Sequence, residues 1–281
     1  MRISHVQNNN YNNRTSRPSF GIWTRGVYKS SKKGLVEPIY RNDTMFFRDP
    51  VFWERFTNLL VQKFNEQSNV NVYCYGCSDG SEPYTFAMKV LAKGKDFAQK
   101  FLPVQARDID SIAICRALDS EYELTNDEIF RIENVLDDKY ELINDKLITT
   151  KNTQNHSLRK YFDYHEYKRE YLSYGDKLNV KVKESLKNSV QFSMGDIFED
   201  YKNINPENTV VLARNFWPYI DDISKRSKFF KDLYDHLKEG SLFVIGNFDT
   251  KEFPMHINSV KEEVQKAGFK ETVVENVFEK R

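Results

Sequence analysis

The sequence is short of the residues that mark secreted, membrane-spanning or metal-dependent chains. Three cysteines in 281 residues, Cys74, Cys77 and Cys115, are too few for a disulfide framework. The longest uninterrupted apolar run is about four residues, Val210 to Ala213, where a membrane-crossing helix needs roughly 20. The chain starts Met-Arg-Ile-Ser-His and passes into an Asn-rich stretch without the apolar core of a secretory signal. Its five histidines are scattered without ligand spacing, so they read as surface residues and no metal site is expected. Net charge is lacking too, with 42 Lys and Arg against 41 Asp and Glu. These absences lead us to expect a soluble cytoplasmic monomer, with no membrane insertion and no nucleic-acid partner. No internal repeat is visible.

What is present is enough to fold. Hydrophobic residues make up 40% and aromatics 14% of the chain, which argues against a disordered protein. The charge is unevenly placed. Residues 1–34 carry seven basic side chains and no acidic one, so the other 247 residues hold a net charge of −6. Five Asn among the first thirteen residues, and Arg17-Pro18 soon after, discourage regular structure. Residues 1–38 are therefore expected to form a basic, Asn-rich flexible arm, and residues 39–281 the folded domain.

From residue 50 onward the periodicities are readable. Phe52, Phe56, Leu59, Leu60 and Phe64 share one helical face. Asn69 to Tyr75 reads as a strand stopped by Gly76, and Tyr84, Ala87, Met88 and Leu91 predict a helix starting near Ser81. A strand over Leu102 to Ala106, ending at Arg107-Asp108, and a helix around Ile112 to Leu118 repeat the pattern, which is that of a parallel sheet with crossover helices. Thr125 and Glu128 have capping-box spacing. Residues 139–188 are polar and Tyr-rich. The α/β rhythm then returns with runs read as buried strands at Val190 to Ser193, Val210 to Ala213 and Leu242 to Ile245, and a closing strand at Thr272 to Phe278. Between them, Phe230, Leu233, Tyr234 and Leu237 mark a helix stopped by Gly240, and Ile257, Val260 and Val264 mark another. The expected fold is α/β, a mainly parallel sheet of about six strands with flanking helices and a small subdomain inserted at about 120–188.

The segment Tyr75-Gly76-Cys77-Ser78-Asp79-Gly80-Ser81-Glu82-Pro83-Tyr84 joins the first strand to the first helix. In an open α/β sheet, ligands sit beyond the carboxyl ends of the strands. Glycines there let backbone approach a ligand, and Asp108, ending the second strand, has a carboxylate able to accept both hydroxyls of a ribose. By themselves these features indicate only a nucleoside-containing cofactor, or simply a turn. Cys74-Tyr75-Gly76-Cys77 is formally C-x-x-C, yet Cys74 lies inside the strand and no second ligand pair is near, so two buried or loop thiols are the expected reading.

Four separated motifs make the reading sharper: Asn42-Asp43-Thr44-Met45-Phe46-Phe47-Arg48-Asp49-Pro50, the loop Gly76 to Tyr84, Asp108-Ile109-Asp110, and Ala213-Arg214-Asn215 with Tyr219. In order and spacing they resemble the CheR family, S-adenosylmethionine-dependent methyltransferases that esterify glutamate side chains of chemotaxis receptors. The resemblance implies a class I, Rossmann-like methyltransferase fold with S-adenosylmethionine as cofactor and S-adenosylhomocysteine as product. It also implies contacts. Asn42, Thr44 and Arg48 would reach the cofactor from the N-terminal side, with Gly76 and Cys77 in the cofactor loop. Glu82 would lie near the methionine ammonium, Asp108 at the ribose, and Asp196 with Ile197 at the adenine, Asp standing where the family usually has Asn. Arg214 and Asn215 would line the active site and Tyr219 would lie near the transferred methyl.

Two departures stand out. Ser81-Glu82 replaces the two consecutive acids usual in the family loop, and the polar stretch of residues 1–38 replaces a compact basic helical domain. The chemistry implied is in-line transfer to a glutamate carboxylate. That group is ionised at neutral pH, with an ordinary pKa of about 4.3, so no general base is needed. Arg48 and Tyr219 are expected to hold the acceptor and Asn215 to shape the pocket. The acceptor itself stays open between a chemoreceptor, another protein and a small molecule, as does the alternative of a non-catalytic interaction module. Tyr161, Tyr164, Tyr167, Tyr171 and Tyr174, spaced like a helix stripe, point either to a packed helix or to a polypeptide-docking surface separable from the cofactor domain.

Overall fold

The computed structural model describes residues 44–136, 157–165, 177–220, 222–250 and 260–281, with short strand pairs at 29–30 with 36–37 and 140–143 with 146–149. Asn42, Tyr167, Tyr171, Tyr174 and Ile257 lie outside the described residues. So does most of the expected N-terminal arm, although Lys29–Ser30 and Val36–Glu37 pair as a short antiparallel ladder within it.

The chain enters through Phe46 and Phe47, both fully buried. The Phe46 ring meets Tyr122 and Phe162 edge-on at 4.9 and 5.4 Å. The Phe47 N–H donates to Thr85 Oγ1 at 3.1 Å. Helix α1, Pro50–Phe64, follows. Pro50 suits a first helical turn, whose N–H groups have no intrahelical partner, and Phe52, Trp53, Phe56, Leu60 and Phe64 turn inward at helical spacing. Then come strand β1, Asn71–Tyr75, helix α2, Ser81–Ala92, strand β2, Val104–Asp108, and helix α3, Ser111–Asp119. All four match the periodicity.

Next, strands β3 (Glu121–Thr125), β4 (Phe162–Asp163) and β5 (Lys177–Val182) form an antiparallel sheet in the order β3-β5-β4. Helix α4, Asn126–Leu136, starts at the expected capping box, where the Thr125 hydroxyl accepts from Glu128 N–H and Glu128 Oε2 accepts from Thr125 N–H. This segment shares the core of the main domain. Leu124, Ile132, Leu158, Tyr161, Phe162 and Val180 are buried in the same cluster as Phe56, Phe86 and Val104. The helical Tyr spacing also holds only briefly. A short helix, Ser157–Tyr161, buries Tyr161, and the chain becomes strand at Phe162.

The rest of the main sheet comes from β6 (Val190–Met194), β7 (Thr209–Ala213), β8 (Leu242–Val244), β9 (Lys270–Glu271) and β10 (Val277–Glu279), with helices α5 (Ile223–His236) and α6 (Val260–Ala267). The order is β6-β2-β1-β7-β8-β10-β9, parallel except that β10 runs antiparallel to both neighbours. Seven strands replace the expected six because the C-terminal run folds into two short strands. Strand β6 is not the buried strand its apolar residues suggested. It pairs only with β2, at the sheet edge, and Gln191, Ser193 and Met194 are exposed. Helix α5 ends at His236, one residue before Leu237, and Gly240 serves the following turn at φ +83°. The architecture is the class I, Rossmann-like methyltransferase fold: the chain runs outward from β1 to β2 to β6, then returns to the other side of β1 to lay down β7. That reversal opens a crevice at the carboxyl ends of β1 and β7, where Tyr75 and Ala213 are in register.

Candidate functional site

The β1–α2 loop bends at three left-handed positions, Gly76 (φ +65°), Ser78 (+51°) and Gly80 (+91°). Glycine at 76 is required twice, by that φ and because a Cβ there would sit 2.6 Å from the Phe216 ring. Among protein atoms it is Phe216, and at Gly80 Phe192, that makes the close approach expected of a ligand. The loop is tied to β2. Cys77 N–H donates to Arg107 O at 3.2 Å and Ser78 N–H to Asp108 Oδ2 at 2.8 Å. Asp108 Oδ1 accepts from Asp110 N–H at 2.9 Å. Each Asp108 oxygen keeps further lone-pair capacity. Burial pushes its pKa up against the pull of these N–H groups.

A charge cluster lies across the crevice. Arg214, at the end of β7 and buried, donates through Nη1 to Glu82 Oε2 and through Nη2 to Asp49 Oδ2, both at 3.0 Å. Its guanidinium lies 4.2 Å from the Phe52 ring centroid and 5.1 Å from that of Trp53. Asp49 is free to reach it because the residue takes a left-handed φ of 61° at the start of α1 and leaves the helix uncapped by its side chain. Burial raises the Glu82 pKa, and the positive charges of Arg214 and Arg48 act against that rise. Arg48, Glu82 and Arg214, far apart in sequence, are thus brought together. Glu82, read as a partner for a ligand ammonium, already has Arg214 as a partner. Asp49, quoted in the motif but given no role, is the fourth member.

On the other side of Arg214, Asn215 has φ +66° and its Oδ1 accepts from Phe248 N–H at 3.1 Å. Tyr219, in the turn Trp217–Tyr219, is 39% exposed and stacks on Phe248 with centroids 5.7 Å apart. Asp196 caps the short helix Ile197–Asp200 by accepting from Phe198 N–H at 3.0 Å. The Ile197 side chain is buried in the core with Trp217, so what it can show to the crevice is backbone. Thr44 is half-buried where the described chain begins. Cys74 and Cys77 are buried free thiols whose pKa values burial pushes up, which makes both poor nucleophiles.

Asp249 was missed in the sequence. It is buried just past β8, and its carboxylate accepts three backbone N–H groups: Gly246 at 2.6 Å, Asn215 at 2.7 Å and Trp217 at 3.2 Å. Burial pushes its pKa up to about 7 against those bonds. The available signal was position: an acid in Gly246-Asn247-Phe248-Asp249, directly after a buried strand, at the ligand-binding end of the sheet.

The family model described as "CheR methyltransferase, SAM binding domain" matches residues 42–166 and 154–266. The chain belongs to the CheR family. It is an S-adenosylmethionine-dependent methyltransferase of the CheR type. A chemotaxis protein methyltransferase of Borreliella burgdorferi is 24% identical over 223 residues, covering 77% of this chain and 67% of that protein. Chemotaxis protein methyltransferase 2 of Vibrio cholerae is 22% identical over 264 residues, covering 91% and 80%. A solved precorrin 8W decarboxylase from Methanobacterium thermoautotrophicum is similar at 13% identity and a TM-score of 0.33, covering 77% of this chain and 72% of that one. The crevice fits the CheR cofactor, which has a polar ribose and a charged amino-acid end. Ser78 Oγ and Arg214 Nε are buried without a hydrogen-bond partner, beside the Asp108 and Glu82 carboxylates respectively. Among the described residues, no helix is long and apolar enough to cross a membrane.

Proposed function

We propose that this CheR-type methyltransferase esterifies glutamate side chains of a protein, a chemoreceptor being the acceptor we favour, and that it acts as a monomer. The observation that supports the reading is the meeting of Arg48, Glu82 and Arg214, with Asn215 next in the chain, at the carboxyl ends of β1 and β7, one strand away from Asp108. Two relatives that are chemotaxis protein methyltransferases support it. S-adenosylmethionine, when bound, supplies an electrophilic methyl group on a sulfonium. Asp108 and the Gly76-Cys77 loop would hold the ribose side, Asp196 and the Ile197 backbone the adenine, and Glu82 and Arg214 the amino-acid end, with Asn42, Thr44 and Arg48 as further contacts from the N-terminal side. Arg48 and the Tyr219 hydroxyl would orient the acceptor carboxylate, with Asn215 shaping the wall between them. The acceptor is already anionic, so these residues work by alignment, a contribution on the order of 7–11 kcal/mol in well-oriented reactions.

A polypeptide acceptor also needs a surface. The sheet of β3, β4 and β5 offers a shallow concavity of about 570 Å3, lined by residues including Tyr122, Tyr164, His165 and Asn179. We assign polypeptide docking to this inserted segment within a domain of residues 39–281, with residues 1–38 as a separate basic arm. Calorimetry with S-adenosylhomocysteine tests the cofactor assignment, and no binding at millimolar ligand would end it. Labelled methyl transfer to a purified chemoreceptor cytoplasmic domain, compared with transfer to general cell extract, tests the acceptor. Labelling of the extract alone would move the substrate to another protein or a small molecule.

A further inference from the structure

Two of the three residues assigned to the acceptor side, Asn215 and Tyr219, sit on one short segment, Asn215 to Ile220. Its conformation is not one that its own sequence would hold. Asn215 is left-handed at φ +66°, and the turn Trp217–Tyr219 is only three residues long. Two buried, oppositely charged side chains act on its backbone. From one side, Asp249 Oδ2 accepts the Asn215 N–H at 2.7 Å and Oδ1 accepts the Trp217 N–H at 3.2 Å. The same Oδ2 accepts the Gly246 N–H at 2.6 Å, anchoring the carboxylate to the end of β8. From the other side, Arg226 on α5, 1% exposed, donates through Nη1 to Trp217 O at 3.2 Å and Ile220 O at 3.3 Å. Its remaining donors are fixed by Glu263 on α6: Nε reaches Oε2 at 2.8 Å and Nη2 reaches Oε1.

We infer that Asp249 and Arg226 are positioning residues of the methyl transfer, clamping the Asn215–Ile220 segment from both ends so that the Tyr219 hydroxyl is presented in one place. The anion gathers N–H groups and the cation gathers carbonyls of the same segment. Buried ion pairs that serve stability alone are often replaceable by apolar residues. These two charges are not paired with each other. Each is committed to backbone groups around Tyr219. Phe248, next to Asp249, completes the seat by stacking on the Tyr219 ring.

The inference rests on the assignment of Tyr219 to the acceptor, and the experiment separates the two. Asp249→Asn keeps the shape but has one acceptor oxygen, so its amide NH2 must face a backbone N–H on one side. Arg226→Lys has a single ammonium that cannot span Glu263 and two carbonyls. Each variant is assayed alone and combined with Tyr219→Phe, with a purified chemoreceptor cytoplasmic domain as acceptor. S-adenosylhomocysteine affinity is measured by calorimetry, which also reports that the variant is folded. The expected result is a kcat about 10- to 100-fold lower in either single variant, as a displacement of about 1 Å can cause. Cofactor affinity and acceptor KM should change less than about 3-fold, and the loss should shrink markedly in the Tyr219→Phe background. Losses that simply multiply with that of Tyr219→Phe, or that follow cofactor affinity, would make the clamp a scaffold element and overturn the inference. So would full-speed Asp249→Asn and Arg226→Lys enzymes beside a slowed Tyr219→Phe enzyme. An unchanged Tyr219→Phe enzyme would instead remove the acceptor assignment, and the clamp's catalytic role with it. If Asp249→Asn does not fold, Arg226→Lys makes the same measurement from the opposite end, and failure of both to fold would assign the pair to stability alone.

Discussion

Arg214 is the residue whose loss this structure predicts most sharply. Its side chain is 1% exposed and faces two carboxylates, Glu82 at 16% and Asp49 at 24% exposure, at 3.0 Å each. Arg214→Met keeps length and packing against Phe52 and Trp53 but takes from both acids the cation they hydrogen-bond. Removing one partner of a buried pair costs roughly 3–5 kcal/mol. Asp49 can regain part of its hydration, which places the expectation near the lower end, about 3 kcal/mol. The deficit should depend on pH. The folded-state pKa of Glu82 is already raised by burial, and Arg214 is the largest influence against that rise. Without Arg214 it climbs further above the unfolded value of about 4.3. An acid shifted in that direction contributes stability that is fully present below the unfolded pKa and is lost as pH rises through the folded pKa. The variant should therefore be weakest near neutrality and close much of the gap by about pH 5, as Glu82 takes up a proton. Urea unfolding of both proteins at several pH values, followed by circular dichroism without ligand, measures this. A deficit below about 1 kcal/mol at neutral pH, the size of a surface ion pair, or one that does not change with pH, would refute the buried-cluster argument.

Other outcomes follow from the same geometry. Asp108→Ala should weaken S-adenosylhomocysteine binding by about 10- to 100-fold, equivalent to roughly 1.5–3 kcal/mol, while Tyr219→Phe should mainly slow turnover; equal affinity losses would erase the division between cofactor and acceptor roles. Gly76→Ala should destabilise by about 2 kcal/mol or more, since φ +65° strains any L side chain and the new Cβ would meet Phe216 at 2.6 Å. A thermal melt measures it, and a loss no larger than the roughly 1–2 kcal/mol that the left-handed φ alone costs would dismiss the Phe216 contact. For Asp249, whose folded pKa of about 7 lies above its ordinary 3.8, wild type should lose stability relative to Asp249→Asn as pH rises from 4 toward 7. The opposite trend would mean that the three N–H bonds outweigh burial.

Much of this was legible in the sequence because it rests on local rules. Apolar spacing located α1, α2 and α3, and the strands β1, β2 and β7 were runs long enough to name. Thr125 and Glu128 announced the start of α4 by a pattern that acts over three residues. Four short motifs, each at a strand end or helix start, identified the CheR family before any coordinate was known. The ends of elements were less legible. Val190 to Met194 sets Val190, Phe192 and Met194 between polar Gln191 and Ser193, and whether such a strand has one neighbour or two depends on sheet order, which periodicity does not encode.

Residues as distant as Asp49, Glu82 and Arg214 become one charged cluster only when β1 and β7 lie side by side, and that adjacency is a property of strand order. The same holds for Asp249, whose partners Asn215 and Trp217 are more than thirty residues away. Its place after a buried strand marks it as a site candidate, but its burial is decided by what packs over it. The inserted segment looked detachable in sequence, yet Tyr161 and Phe162 are buried in the same core as Phe46 and Phe86. The sequence by itself determined the helices, most strands and the family, all set by interactions within a few residues. Tertiary structure decided which charges meet and which loops are held, because long-range pairing alone can bring an unsatisfied N–H or a buried cation to its counterpart.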